Sequence, residues 1–375
     1  MIASLVVLKA VASVLVAPQE GVPSNAGIMV QMTAQDNPKQ ALEIFHYWQP
    51  LETEWISPYK EWRFSHISVA MAQPLRAPGP TQRFRIFAQG RESEGNDELG
   101  LATAKYMLRL WNYVYFRCDV DHSPRFGRLV DVYLCKEGDP GGEHFQMYNS
   151  FDLDEQDRPK PTNFINIYQA FAAKRGITLS RELAHEYGHA ILPSAGGFEG
   201  PESYANGELG ERVFLGWLRD DMRAGKINAS DTMGTTQAEL DAYYKRDVEP
   251  RVKQVGLKGP NFELLKGRTE KSFWEYVSIA TYLSRIAPTL MYGRFTNLST
   301  IVAEDAQLAI KSAAEERTEW EVVVPAELSG QAIWIPLVKG NVSGAKVVSR
   351  KGDWAKIQTK SGQKVMVKNP PLPLE

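Results

Sequence analysis

Within RELAHEYGHAIL (181–192), the run His185-Glu186-Tyr187-Gly188-His189 has the residue types and spacing that could do chemistry. On an α-helix, positions i and i+4 lie one turn apart on one face, so both imidazoles can reach a single metal ion. Glu186 lies beside His185 on that face. It is placed to take a proton from a metal-activated water rather than to ligate the ion. Leu183, Tyr187, Ala190 and Ile191 make a separate apolar stripe for a core. Ser180 is expected to cap the helix, with Glu182 in its first turn, and Pro193 to end it. Gly188 costs about 1 kcal/mol of helix propensity relative to alanine, so its expected use is the close approach of another backbone or side chain.

Two imidazoles do not hold a catalytic zinc; a third protein ligand is needed, with one position left open. The chain has only Cys118 and Cys135, too few for a thiolate site, and no histidine follows His189. His144 lies upstream in a segment read as a loop. A downstream carboxylate is therefore expected, and PESYANGELGER (201–212) offers Glu202, Glu208 and Glu211. Glu208 is preferred, because its helical neighbours Tyr204, Ala205 and Leu215 are largely apolar and should carry it inward. Glu211 and Glu202 stay open as alternatives. Glu211, one turn after Glu208, could instead hydrogen-bond a ligand histidine. An oxyanion donor would have to be a tyrosine of the helical half: Tyr243, Tyr244, Tyr276 or Tyr282.

Several elements must position these groups. RFRIFAQG (83–90) reads as a strand, LGLATAKYMLRLWNYVYF (99–116) as a long core helix and RLVDVYLC (128–135) as an alternating strand. HFQMYNSF follows as a second strand and NFINIYQAF (163–171) as a third, the natural candidate for an edge that pairs with a substrate backbone. Beyond Leu192 helices are expected over 202–220, 237–255, 271–286 and 299–317.

In this order of elements the chain resembles the zincin-like metallopeptidases, gluzincin branch, and more narrowly the peptidase-MA-like proteins. Eighteen residues separate His189 from Glu208, as in the HExxH-x18-E form of that branch. The resemblance covers roughly 83–220, and only HEYGH is a specific motif. It implies an α+β catalytic domain, bound Zn and a peptide or protein substrate. Zinc would be held by His185, His189 and Glu208, with Glu186 as general base. One departure stands out: members often carry Glu-Gly where this chain has Asn206-Gly207, and asparagine is a poor zinc ligand. A catalytically inactive zincin-fold protein that binds glycan or protein is the alternative.

The expected organisation is a leader over 1–27, an N-terminal extended region over 28–82, a zincin-like domain over 83–318 and a small all-β domain over 319–375. The apolar N-terminus looks like an export signal, although Lys9 interrupts it, so an exported chain is expected. No transmembrane helix is expected in the mature chain. In an exported protein the two cysteines read as a disulfide, and in a cytosolic one as two buried thiols. A net charge of −2 argues against nucleic acid as the main partner. AKVVSRKGDWAKIQTKSGQKVMVK resembles a bacterial SH3-like repeat. Its run of Lys and Arg has two readings: a contact for glycan, cell wall or protein, and a stabilising β cap with a solvated basic face.

Overall fold

The computed structural model describes residues 30–33, 42–56, 62–74, 82–89, 96–120, 129–153, 159–173, 175–293, 301–302, 305–359 and 364–370. The expected leader, 1–27, and residues 75–81 of the expected N-terminal extended region lie outside them. The chain is a mixed α+β protein built on a seven-stranded sheet.

Strands β1 (Val30–Thr33), β2 (Leu42–Ile56), β3 (Arg63–Pro74) and β4 (Gln82–Ala88) form an antiparallel meander. Helix α1 (Asn96–Arg117) then crosses over to β5 (Leu129–Leu134), which runs parallel to β4. After β6 (Gly141–Leu153) the chain returns through β7 (Pro159–Tyr168), which slots in parallel to β5. The order is β1-β2-β3-β4-β5-β7-β6. The expected border at residue 82 therefore does not divide the sheet, since β3 pairs with β4 along seven register positions from His66 to Ala72.

NFINIYQ is thus an inner strand, and the edge belongs to β6, antiparallel to β7. The expectation failed because an apolar run of this length fits either position, and buried inner strands are the more uniformly apolar. Phe164, Ile165 and Ile167 of β7 are buried, whereas Gly141–Phe145 of β6 are only half-buried. The β4/β5 register is locked by a buried pair at directly opposed positions. Arg85 donates from Nε and Nη2 to the two carboxylate oxygens of Asp131, both at 2.7 Å. Leaving either partner alone in that interior would cost about 3–5 kcal/mol.

Helix α2 (Ile177–Ile191) carries HEYGH, and α3 (Asn206–Arg223) packs across it. The helical half continues through α4 (Gln237–Tyr243), a π turn at Tyr244–Val248, and α5 (Glu249–Lys258). Helices α6 (Phe262–Leu265), α7 (Glu270–Ile286) and α8 (Ala306–Glu316) complete it. The described residues between Glu319 and Lys368 form two three-stranded antiparallel sheets. They are docked on the helices: Tyr282 donates its hydroxyl to Trp334 O at 2.7 Å, and Val323 N donates to Ile286 O at 2.8 Å. One apolar core runs from Phe84 of the sheet through Tyr187 and Phe214 to Ile333 and Trp354. Among the described residues no helix is long and apolar enough to cross a membrane. No disulfide joins Cys118 and Cys135, and both thiols are buried.

Candidate metal centre

Helix α2 begins earlier than its sequence signals predict. Gly176 is its N-cap residue, and Ser180 lies inside the first turn. There the Ser180 hydroxyl donates to Thr232 O at 2.8 Å and so ties the helix to the segment between α3 and α4 instead of capping it. Leu183, Tyr187, Ala190 and Ile191 are buried as the periodicity requires, and the helix stops at Ile191, just before Pro193.

Gly188 is where α3 crosses. A Cβ built there would lie 2.4 Å from Asn206 O and 2.8 Å from Gly210 Cα, and one on Gly210 would lie 2.3 Å from Ala184 O. Two glycines facing each other let the backbones touch, as the close approach expected of Gly188 demands. This contact presses the first turn of α3 onto the histidines. A Cβ on Gly207 would stand 2.3 Å from His189 Nε2 and 2.5 Å from His185 Nε2. Gly207 therefore leaves clear the space both imidazoles face. Gly207→Ala would fill it with a methyl group, and the expected result is that any affinity of this site for zinc falls by about 10- to 100-fold. A chelator-competition titration measures this, with circular dichroism to check that the helices persist.

The two imidazoles are held alike. His185 Nδ1 faces Glu211 Oε1 at 3.2 Å, and His189 Nδ1 faces Asn206 Oδ1 at 2.9 Å. Asn206 Nδ2 donates to His189 O at 2.9 Å, which fixes the amide with its oxygen toward the ring. Both Nδ1 atoms therefore carry a proton, and the two Nε2 atoms converge, 3.2 Å apart. A carboxylate closes the third side: Glu202 Oε1 lies 3.0 Å from His185 Nε2 and Oε2 3.7 Å from His189 Nε2. Glu202 Oε2 is buried and accepts no hydrogen bond. Without a cation at this point, the carboxylate favours a proton on His185 Nε2; a metal ion there would take that proton's place.

Glu202 arrives there from a loop. The expected helix over 202–220 begins only at Asn206, and a tight hairpin precedes it. Gly197 N donates to Ser203 O at 3.0 Å and Ala205 N to Ala195 O at 3.0 Å, which leaves Glu202 near the tip. Twelve residues separate it from His189. Glu208, the preferred ligand on sequence grounds, is brought elsewhere. It follows Gly207 by one position, hence about 100° around the helix, and its carboxylate pairs with Arg212. An oxygen of Glu208 does come within 4.8 Å of His185 and Glu211, but it does not reach both histidines. Glu211 takes the supporting role. It accepts from His185 and also from Arg181 Nε at 2.7 Å and Tyr243 hydroxyl at 3.1 Å. Burial works against its charge, yet the bonds to His185 and Arg181 hold its carboxyl down at about 2. Burial likewise disfavours a charged His185, but Glu202 and Glu211 outweigh it and lift that ring to about 10.

Glu186 lies under the edge strand. A Cβ on Gly142 would come within 2.7 Å of its Oε1. Burial pushes Glu186 up to about 7, with His185 pulling the other way. An open cleft of about 580 Å³ runs over the site. Gly142–Gln146 of β6 form one wall, the motif residues the floor, and Ser194, Glu202, Tyr204 and Asn206 the other wall. His144 lies on β6, not in a loop. Its Nε2 is 2.9 Å from Asn163 Oδ1, and burial lowers it to about 4, so it faces the cleft as a neutral ring.

No protein-family model and no curated protein matches the chain.

The four tyrosines proposed from sequence as oxyanion donors are all engaged away from the cleft. Tyr243 bonds Glu211, Tyr244 bonds Glu327, Tyr276 bonds Pro193 O and Tyr282 bonds Trp334 O. All four are buried, because the helical half uses its aromatic residues as core. The tyrosine that lines the cleft is Tyr204, on the hairpin beside Glu202 and packed on Gly196. Its only sequence signal was its place next to the candidate ligands.

Proposed function

We propose that the protein is a zinc-dependent peptidase of zincin-like type, exported from the cell, whose metal is held by His185, His189 and Glu202. The convergence of both Nε2 atoms with the otherwise unbonded Glu202 Oε2 carries this reading. Two imidazoles and one carboxylate are a donor set that suits Zn²⁺ and leaves a position open, and Gly207 keeps the space clear. When bound there, zinc would supply Lewis acidity, lowering the pKa of a water and polarising a carbonyl.

The chain's own residues supply the rest. Glu186, buried and next to His185, accepts the proton of the attacking water and passes it to the leaving amine. Strand β6, the last of the sheet, offers its outer edge to an extended peptide. Tyr204 is the hydrogen-bond donor nearest in kind to the one a developing oxyanion requires. Glu211 and Asn206 orient the imidazoles through their Nδ1 atoms.

The purified full chain is expected to hold about one zinc per molecule and to cleave casein or members of a peptide library. A chelator should abolish cleavage, and added zinc should restore it. Zinc-loaded protein that cleaves nothing across such a library would leave a zincin-fold binding protein as the better reading.

A further inference from the structure

Behind the first turn of α3, two arginines share one indole. The guanidinium carbons of Arg212 on α3 and Arg251 on α5 stand 5.0 Å and 4.2 Å from the ring centroid of Trp274 on α7. Arg212 is 5% exposed, and Nε of each arginine is buried without a hydrogen-bond partner. Arg251 donates from Nη1 to Ser278 Oγ at 3.3 Å. Among the described residues, no carboxylate lies within 4.0 Å of it; Glu208 and Asp247 act on it only through space. Glu208 is already committed to Arg212 by its side chain, and its carbonyl accepts a second bond from Arg212 at 2.7 Å.

Two guanidiniums on one ring with a single carboxylate in contact leave the half-buried Arg251 without an anion in direct contact. That arrangement is costly unless a second anion joins it. Burial first, and Arg212 after it, push Arg251 down to about 10, with Glu208 and Asp247 pulling the other way. Guanidinium forks fit planar carboxylates with two parallel bonds, and stacking on an aromatic face holds the fork in one plane. Glu208 already demonstrates that a carboxylate fits against Arg212 here. The link to the candidate metal centre runs through Glu208, whose carboxylate pairs with Arg212 and has an oxygen within 4.8 Å of a His185 nitrogen; the arginines and Trp274 do not themselves line the cleft.

We infer that Arg212, Arg251 and Trp274 form a subsite that binds a carboxylate of the peptide substrate. The inference rests on the peptidase reading of the cleft. The carboxylate could come from a free C-terminus or from an Asp or Glu side chain, and the experiment separates the two.

Binding is read without turnover in zinc-loaded Glu186→Gln protein, by fluorescence anisotropy of three labelled peptides. They share one neutral sequence and differ in ending: a free acid, an amide, and an amide with one internal Asp. At least one acidic peptide is expected to bind about tenfold more tightly than the neutral amide, and which one it is identifies the source. Introducing Arg251→Met, which keeps the packing on Trp274, should reduce that ratio to within twofold, while Arg251→Lys keeps part of it. Zinc content and melting curves show that the variants fold. Neutral and acidic peptides binding equally well would overturn the subsite alone, as would a preference that survives Arg251→Met. No binding by any of the three would overturn the peptidase reading and the subsite with it.

Discussion

Glu202→Ala is expected to strip the protein of zinc, while Glu208→Ala retains it. The carboxylate of Glu202 contacts both motif histidines, at 3.0 Å and 3.7 Å, and its Oε2 has no hydrogen bond to lose. Glu208 is held by Arg212 one turn along the helix. Removing a direct ligand should weaken zinc by more than the roughly 10–100-fold typical of an outer partner. Elemental analysis of dialysed protein, followed by chelator competition, measures the difference. Zinc loss in Glu208→Ala with retention in Glu202→Ala would return the ligand role to Glu208. Because Glu202 sits near the tip of a surface hairpin, its loss should leave the core and the melting curve of the zinc-free protein nearly unchanged.

Glu186→Gln is expected to lower kcat by about 10²- to 10⁴-fold while zinc stays bound. Glutamine keeps the shape of the side chain under Gly142 but cannot take the proton. The pH profile adds a second readout. Glu186 serves as a base only when ionised, and burial favours its neutral form, pushing it up to about 7. Activity in the wild type should therefore rise with pH through an acid limb centred at or below about 7. The limb lies on the lower side because a cation beside His185 favours the ionised form. The residual activity of Glu186→Gln should lack this limb. A variant with undiminished kcat would remove Glu186 from the mechanism.

Much of the site's floor was legible along the chain, because it depends on local spacing. The i, i+4 histidines share a face for the same geometric reason that Leu183, Tyr187 and Ile191 share another. Gly188 announced a close neighbour, and Gly210 is that neighbour. The supporting role allowed for Glu211 also agrees with its bond to His185. The misses share one cause: each needed a distance between segments remote in sequence or in a turn. Ser180 looked like a cap, but its hydroxyl goes to Thr232, fifty-two residues on. The strand at 163–171 looked like the edge, but β6 folds back outside it. Glu202, Tyr204 and Ala205 were expected inside a helix over 202–220, whereas the chain closes a hairpin first.

By itself, then, the sequence determined the α+β class, the motif helix with its two imidazoles and neighbouring carboxylate, and the exclusion of a third histidine downstream. Those follow from helical periodicity, turn chemistry and composition, which act over a few residues. Which carboxylate joins the histidines was decided by the tertiary structure alone. Gly188 against Gly210 sets how closely α2 and α3 cross, and Gly207 then faces the imidazoles while Glu208 is turned about 100° away. The space left open is reached by the hairpin before the helix, and Glu202 is the residue it carries there.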